Sequence, residues 1–203
     1  MREISKHWGF LTRSVLGIVL LVPTSLAVIF SHPTFPYKSL LDLAFDVLGW
    51  LAFALYVIFR LWATLYVGGR KGRELQTSGP YSITRNPLYF GSLCFGLSVV
   101  LFFKSATLLF ALSIVILWYW YVVIGTEESL LYAKFGDSFA SYCARTPRLI
   151  PRLSHYVQTE EEVPVNLKAL KLETERLWRA LLFPLTVEMI MYLRELSWWP
   201  HLW

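Results

Sequence analysis

Long apolar stretches separated by short charged segments dominate the hydrophobic pattern of this chain. Residues 14–37, 86–103 and 105–126 carry no Asp, Glu, Lys or Arg, and 47–69 carries one charge, Arg60. A helix needs about 20 apolar residues to cross the ~30 Å hydrocarbon core of a bilayer. The pattern therefore predicts four transmembrane helices. Their expected bounds are 12–31, 42–67, 87–103 and 105–126.

The C-terminal part of the chain departs from this pattern. An acidic segment, 158–165, precedes the apolar stretch 177–193, which contains Pro184. That stretch is short for a membrane crossing, so we expect an interfacial or re-entrant helix, with a fifth membrane helix as the alternative. The predicted fold class is an all-α, polytopic membrane protein. Its expected organisation is a membrane core over 1–155 and a C-terminal appendage over 156–203.

Lys and Arg residues alternate in density from one loop to the next. The N-terminus carries Arg2, Lys6 and Arg13, whereas the loop after the first helix has only Lys38. The following loop is rich in Arg, and the next one, a tight turn, has only Lys104. Basic loops stay on the cytoplasmic side of a membrane. The expected topology is therefore multi-pass with a cytoplasmic N-terminus. The net charge of +5 follows from this topology and needs no nucleic-acid partner.

The composition supports the membrane class. Hydrophobic residues make up 56% of the chain and charged residues 16%, below the ~25% charged residues of an average soluble domain. This excludes a disordered chain and argues against a soluble fold. The His and Cys residues are scattered, without the spacing of metal ligands, so no metal is expected. The sequence leaves the oligomeric state open.

The residues around Arg85 indicate the cytoplasmic start of the third helix. Gly79 and Pro80 mark a turn, Asn86 is a good N-cap residue, and Pro87 fits the first helical position. The N-terminus of a helix carries a partial positive charge and can hold a carboxylate or another anion. The alternative is a plain helix start in a polar loop.

Two acidic residues, Glu127 and Glu128, stand at the predicted cytoplasmic end of the fourth helix. Because the turn before that helix is tight, helices three and four form an antiparallel hairpin, which brings Glu127 beside the start of helix three. Tyr81, Tyr89 and Tyr132 can supply aromatic walls. Helix N–H groups and a cation then face a carboxylate, which suits S-adenosylmethionine among other zwitterionic ligands. The alternative is an acidic surface turn.

Two motifs at these helix ends carry a family resemblance. The pattern GPY-x3-RNPLYFG is followed further along by EE-x3-Y-x2-FG-x2-F-x2-Y-x3-TPRLIP. Together they resemble the integral membrane methyltransferases related to isoprenylcysteine carboxyl methyltransferase, and the Asn-Pro-x-Tyr part is also similar to phospholipid N-methyltransferases. The resemblance implies a methyltransferase that binds S-adenosylmethionine at the cytoplasmic face. The acceptor would be a lipid or lipophilic small molecule that enters from the bilayer.

Position by position, the resemblance assigns the methyl donor to residues before, within and after the RNPLY motif. They are Arg73, Glu74, Leu75, Gln76, Tyr81, Asn86, Pro87, Leu88, Tyr89 and Glu127. For catalysis, we expect Arg85 to orient an anionic acceptor or the donor carboxylate. Glu128 is the expected base if the acceptor needs one.

The sequence leaves the identity of the acceptor open. Val123 stands where prenylcysteine-specific members of the family have an Arg, and no Lys or Arg occurs in 105–126. This argues against a prenylcysteine carboxylate, because a buried carboxylate without a partner is costly. The alternatives are protein prenylcysteine carboxyl methylation, a sterol-reductase-like NADPH oxidoreductase, and a non-catalytic membrane adaptor.

Overall fold

The structure, a computed structural model, describes residues 19–31, 35–36, 38–70, 73–158, 163–196 and 198–200. Its helices, in chain order, are α1 (Val19–Ile29), α2 (Leu40–Val67), α3 (Pro80–Ile83), α4 (Pro87–Phe103), α5 (Ala106–Trp118), α6 (Ile124–Phe135), α7 (Asp137–Arg145) and α8 (Leu167–Arg194). A π-helical segment joins α5 to α6 without a break, and a short 3-10 turn follows α7. The predicted all-α class is confirmed.

The apolar stretches predict the main helices well. The second and third predicted helices, α2 and α4, have the expected bounds to within two residues. The fourth begins at Ala106 and continues past 126 to Phe135. Gly136, with a φ of 52°, follows it in a conformation that favours glycine at a helix end. Of the first predicted helix, residues 12–18 lie outside the described residues.

Among the described residues, two helices are long and apolar enough to cross a membrane, Leu40–Val67 and Ala106–Phe135. The described part of α1, and α4, are shorter apolar helices. Large apolar side chains are exposed along α2 from its first residue to Ile58. They are Leu40, Leu41, Leu43, Val47, Leu48, Leu51, Leu55 and Ile58. Such a surface suits contact with lipid better than contact with water. The count of four crossings stays a prediction.

The C-terminal apolar stretch belongs to a longer helix than its sequence suggests. Helix α8 begins at Leu167 rather than at 177, and it continues through Pro184. The side-chain oxygen of Asn166 accepts the N–H of Ala169 at 2.9 Å, which is the hydrogen bond of an N-cap. Its interfacial or crossing placement stays a prediction, as does a domain boundary at 155/156.

The described residues form two compact units. The first contains the described parts of 1–52, 96–126 and 181–203, and the second contains those of 53–95 and 127–180. The first has a core of Val28, Val100, Phe102, Phe103, Leu108, Leu112 and Val187. The second has a smaller cluster of Ala63, Tyr66 and Tyr81, against which Leu88 packs. All of the predicted site residues belong to the second unit.

A buried ion cluster fixes the turn between α4 and α5 in the first unit. Lys104 takes a φ of 52° at this turn, and its ammonium pairs with the carboxylates of Asp42 and Asp46. The side chains of Lys104 and Asp42 are only 4% and 7% exposed. Asp42 also accepts the N–H of Lys38 at 2.8 Å. Because buried charges require partners, this cluster ties the turn to the start of α2.

Two glycines let the start of α8 approach the end of α2 in the second unit. Gly69 has a φ of 77° and lies against Asn166. A Cβ built at Gly68 would lie 3.1 Å from the Cβ of Ala169. From this contact the two helices run antiparallel, and the next described tie between them is the ion pair of Arg60 with Glu173.

Removing the buried ammonium tests the role of the ion cluster. We expect Lys104→Met to lower the free energy of unfolding by about 3–5 kcal/mol, because two carboxylates lose their cation. The measurement is unfolding of the purified chain in mixed detergent micelles. Lys168→Met, which removes an exposed ammonium, is the matched control. Equal effects of the two substitutions would show that the Lys104 cluster does not hold the turn.

Candidate functional site

The candidate site is built on a loop that a later segment holds in place. We call residues 78–86 the GPY loop and residues 146–157 the strap. Main-chain hydrogen bonds of 2.9 Å join them at three points. The N–H of Gly79 donates to the carbonyl of Val157, that of Arg85 to Pro147, and that of Arg152 to Ile83. Backbone groups of a buried loop need such partners, so the strap fixes the path of the GPY loop.

Side chains reinforce this connection. The hydroxyl of Thr84, which is fully buried, donates to the carbonyl of Leu149 at 2.9 Å. The side-chain amide of Asn86 donates to the carbonyl of Arg148 at 2.8 Å. Asn86 stands directly before α4, as predicted, and its side chain contacts the strap.

Helix α7 also supports the GPY loop. In this helix, the hydroxyl of Tyr142 donates to the carbonyl of Tyr81 at 2.7 Å, and Tyr142 is 4% exposed. Phe139 is buried beside it, with the ring centroids 6.1 Å apart. The FG-x2-F-x2-Y part of the sequence motif thus encodes a turn at Gly136 and the buried face of a short helix.

The structure brings the start of α4 and the acidic end of the hairpin together, as the hairpin argument predicts. The hydroxyl of Tyr89 donates to Oε2 of Glu127 at 2.7 Å. Burial raises the pKa of the Tyr81 phenol above its usual value, and the Glu127 carboxylate raises it further, while Arg60 opposes the shift. Tyr81 therefore stays a neutral phenol within the electrostatic reach of Glu127.

The second acidic residue, Glu128, lies between two guanidinium groups. Its Oε1 is 3.3 Å from Nη1 of Arg85, and its Oε2 is 3.0 Å from Nε of Arg148. These three side chains are 17% to 22% exposed. Among the described residues, Nε of Arg85 is buried and has no hydrogen-bond partner. The network thus holds one guanidinium N–H, that of Arg85 Nε, which no described residue satisfies.

The remaining predicted donor residues differ in how deeply they are buried. Pro87 is buried, and Leu88 packs against the cluster that contains Tyr81. The side-chain amide of Gln76 donates to the Ser78 hydroxyl at 2.8 Å, and Leu75 is half-buried. Arg73 and Glu74 are exposed. Contact of these residues with a methyl donor stays a prediction.

Sequence reasoning missed several residues of this region. Thr84, Tyr142 and Arg148 were not singled out, although the last two belong to the quoted motif. In the sequence, Arg60 stands out only as a lone charge in an apolar stretch, and nothing there marks Glu173 as its partner. A signal for the pair exists in hindsight, because a charge inside an apolar helix requires a partner elsewhere in the chain.

Comparison with known proteins matches residues 43–138 to one family model, described as phospholipid methyltransferase. The cobalt-zinc-cadmium resistance protein CzcN of Cupriavidus metallidurans is 37% identical over 152 residues, and the nickel-cobalt-cadmium resistance protein NccN of Alcaligenes xylosoxydans xylosoxydans is 34% identical over 148. These alignments cover 73% and 72% of this chain and 68% of each relative. No solved structure matches the chain.

The hydroxyl of Thr84 provides a test of the strap. We expect Thr84→Val to lower the free energy of unfolding by about 1–3 kcal/mol, because the carbonyl of Leu149 loses its donor in a buried place. Thermal unfolding in detergent measures this effect. Thr77→Val, at an exposed position of the same segment, is the control. A stability unchanged in Thr84→Val would mean that the hydroxyl does not help to hold the strap.

Proposed function

Because this chain belongs to the phospholipid methyltransferase family, we propose that it transfers a methyl group from S-adenosylmethionine to a lipid or lipophilic acceptor at the cytoplasmic membrane face. The observation that carries the proposal is the pairing of Tyr89 with Glu127 beside the network of Arg85, Glu128 and Arg148. The pair of Tyr89 with Glu127 and the pair of Arg85 with Glu128 both lie inside the region that matches the family model.

The described residues fit the groups of S-adenosylmethionine. The buried Nε of Arg85, which lacks a partner among the described residues, suits the donor carboxylate, and the start of α4 adds its positive end. The Glu127 carboxylate suits the ammonium group or the ribose hydroxyls. Tyr81 and Leu88 supply apolar surface. When bound, S-adenosylmethionine supplies an electrophilic methyl group.

The residues of the chain contribute mainly by positioning. Tyr89 fixes the direction of the Glu127 carboxylate through its hydrogen bond. Glu128 holds Arg85 and Arg148 in place, and accepting a proton would break both ion pairs. We therefore propose that Glu128 orients Arg85. Glu128 would act as a base only if the acceptor displaced one of its two guanidinium partners. Holding two reactants in line contributes up to ~7–11 kcal/mol in the best cases.

The membrane placement proposed here follows from the helices and the charges. Two helices long enough to cross and the exposed apolar face of α2 support an integral membrane protein. Four crossings with the N-terminus and the candidate site in the cytoplasm agree with the Arg-rich loop around the site. A soluble donor would then arrive from the cytoplasm and an amphiphilic acceptor from the bilayer.

The relatives are named for resistance to cobalt, zinc, cadmium and nickel. We propose the same setting for this chain, in which its methyl transfer modifies a membrane lipid or lipophilic compound in cells exposed to such metals. Within the described residues, no group of three or more His, Cys, Asp or Glu side chains is arranged to hold a metal ion.

Replacing one carboxylate by its amide tests the donor site. Glu127→Gln keeps the shape and removes the charge, so we expect binding of S-adenosylmethionine to weaken by about 1.5–3 kcal/mol, which is a rise in Kd of about 10- to 150-fold. Isothermal titration of the folded, detergent-solubilised chain measures it. Glu175→Gln, at an exposed position of α8, is the matched control and leaves the Kd unchanged. A wild-type Kd in Glu127→Gln would remove Glu127 from the donor site.

The same titration separates the competing functions. Binding of NADPH instead of S-adenosylmethionine by the wild type would support an oxidoreductase, and binding of neither would support an adaptor. For methyl transfer, lipids extracted from cells with and without the chain are compared by mass spectrometry. We expect species heavier by one methylene unit only in the presence of the wild type. Their absence in cells that contain the folded chain would contradict the proposed activity.

A further inference from the structure

A single guanidinium lies inside the apolar part of α2. Arg60 is the one charged residue of 47–69, and its side chain is 17% exposed. Its Nε donates to Oε1 of Glu173 at 2.5 Å. Glu173 belongs to α8 and is 5% exposed, and its other oxygen pairs with Arg176 at 3.3 Å. Arg176 is 60% exposed, and the cluster has two cations for one carboxylate, so its net positive charge favours a further anion.

Only one edge of the Arg60 guanidinium is used. Within the part of the chain that the structure describes, no group accepts from Nη1 or Nη2 of Arg60, and neither nitrogen is sealed from its surroundings. The Glu173 bond occupies Nε of Arg60 and leaves the fork formed by Nη1 and Nη2 without an acceptor among the described residues. A planar fork of this kind matches the two oxygens of a phosphate or a carboxylate.

The position of Arg60 relates it to the proposed donor site. A Cβ built at Gly91 of α4 would lie 3.1 Å from Cγ of Arg60, so this glycine gives the side chain room against α4. One helical turn closer to the cytoplasmic ends, Ala63 of α2 and Leu88 of α4 pack in the cluster that contains Tyr81. Arg60 therefore lies about one turn, ~5.4 Å, beyond this cluster and toward the membrane interior.

We propose that Arg60 binds an oxyanion of the methyl acceptor, and that Glu173 of α8 is the positioning residue that orients it. The inference rests on the proposed function, and it names the residues of this chain that bind the phosphate or carboxylate of such an acceptor. The donor carboxylate is assigned to Arg85 instead, because Arg85 stands at the start of α4 whereas Arg60 lies deeper. The appendage after 156 thereby completes the site instead of merely covering it.

The test is lipid binding by the full chain, which requires neither S-adenosylmethionine nor turnover. Native mass spectrometry compares phosphatidic acid with diacylglycerol, and oleate with oleyl alcohol, each pair having the same chains. We expect the wild type to prefer the anionic member by about 10-fold or more, the size of a hydrogen bond to a charged group. No preference within either pair would overturn the inference and leave the proposed function in place.

Variants locate the preference. Because Arg60→Met alone leaves Glu173 with an exposed partner only, the double variant Arg60→Met with Glu173→Met removes both buried charges and preserves the fold. It is expected to lose the preference, whereas Arg179→Met, which removes an exposed guanidinium of α8, keeps it. Arg60→Lys keeps the charge without the fork and is expected to retain part of it. A full preference in the folded double variant would overturn the proposal.

Two further readouts separate acceptor from donor and positioning from packing. The double variant should bind S-adenosylmethionine with wild-type Kd. A loss of donor binding with the lipid preference intact would assign Arg60 to the donor and overturn the proposal.

The kinetic test uses an anionic acceptor that the wild type methylates. Glu173→Gln should raise the KM for this acceptor about 10-fold with kcat within about twofold, and Glu173→Asp should restore part of the lost affinity. A fall in kcat alone would contradict the positioning role. If the wild type does not bind S-adenosylmethionine, the proposed function fails and the acceptor role with it.

Discussion

The hydrogen bonds between the GPY loop and the strap are the interaction on which the candidate site depends. The loop carries Arg85, the strap carries Arg148, and both guanidinium groups reach the one carboxylate of Glu128. The main-chain bond from Arg85 to Pro147 sets the separation of the two cations. A loop of buried backbone would otherwise leave polar groups unpaired. A change in the strap therefore acts on the site as directly as a change in the loop.

The parts of the fold that follow from local pattern could be predicted from the sequence. Uninterrupted apolar residues give the bounds of α2 and α4, and Asn86-Pro87 gives the start of α4. The contact of Tyr89 with Glu127 follows from one further step, since a tight turn makes the two helices antiparallel and their outer ends adjacent. These inferences need only helix geometry and turn chemistry. They do not need any knowledge of which distant residues pair.

Other parts of the site could not be predicted because their partners carry no sequence signal. Thr84, Tyr142 and Asn86 donate to main-chain carbonyls of Leu149, Tyr81 and Arg148. Every residue has a carbonyl, so the sequence does not mark the one that is used. For lone charges the sequence shows the charged residue, but it does not show whether that residue is buried or with which residue it pairs. Lys104 lies in the turn between two helices, as predicted, but the structure also buries it against Asp42, and a count of charges by side of the membrane does not indicate that contact.

The contact between Gly69 and Asn166 fixes where α8 begins against α2. The number of residues between Asn166 and Glu173 therefore matters as much as their identity. Asn166 begins the helix against the end of α2, and Glu173 follows about two helical turns later, opposite Arg60. One residue inserted between them would turn Glu173 by about 100° and move it by about 1.5 Å. Arg60 would then face a different side chain, although no residue of the site had been substituted. Insertions and deletions within 167–172 are therefore constrained as strictly as the identity of Glu173, whereas substitutions at the exposed positions of that turn are not.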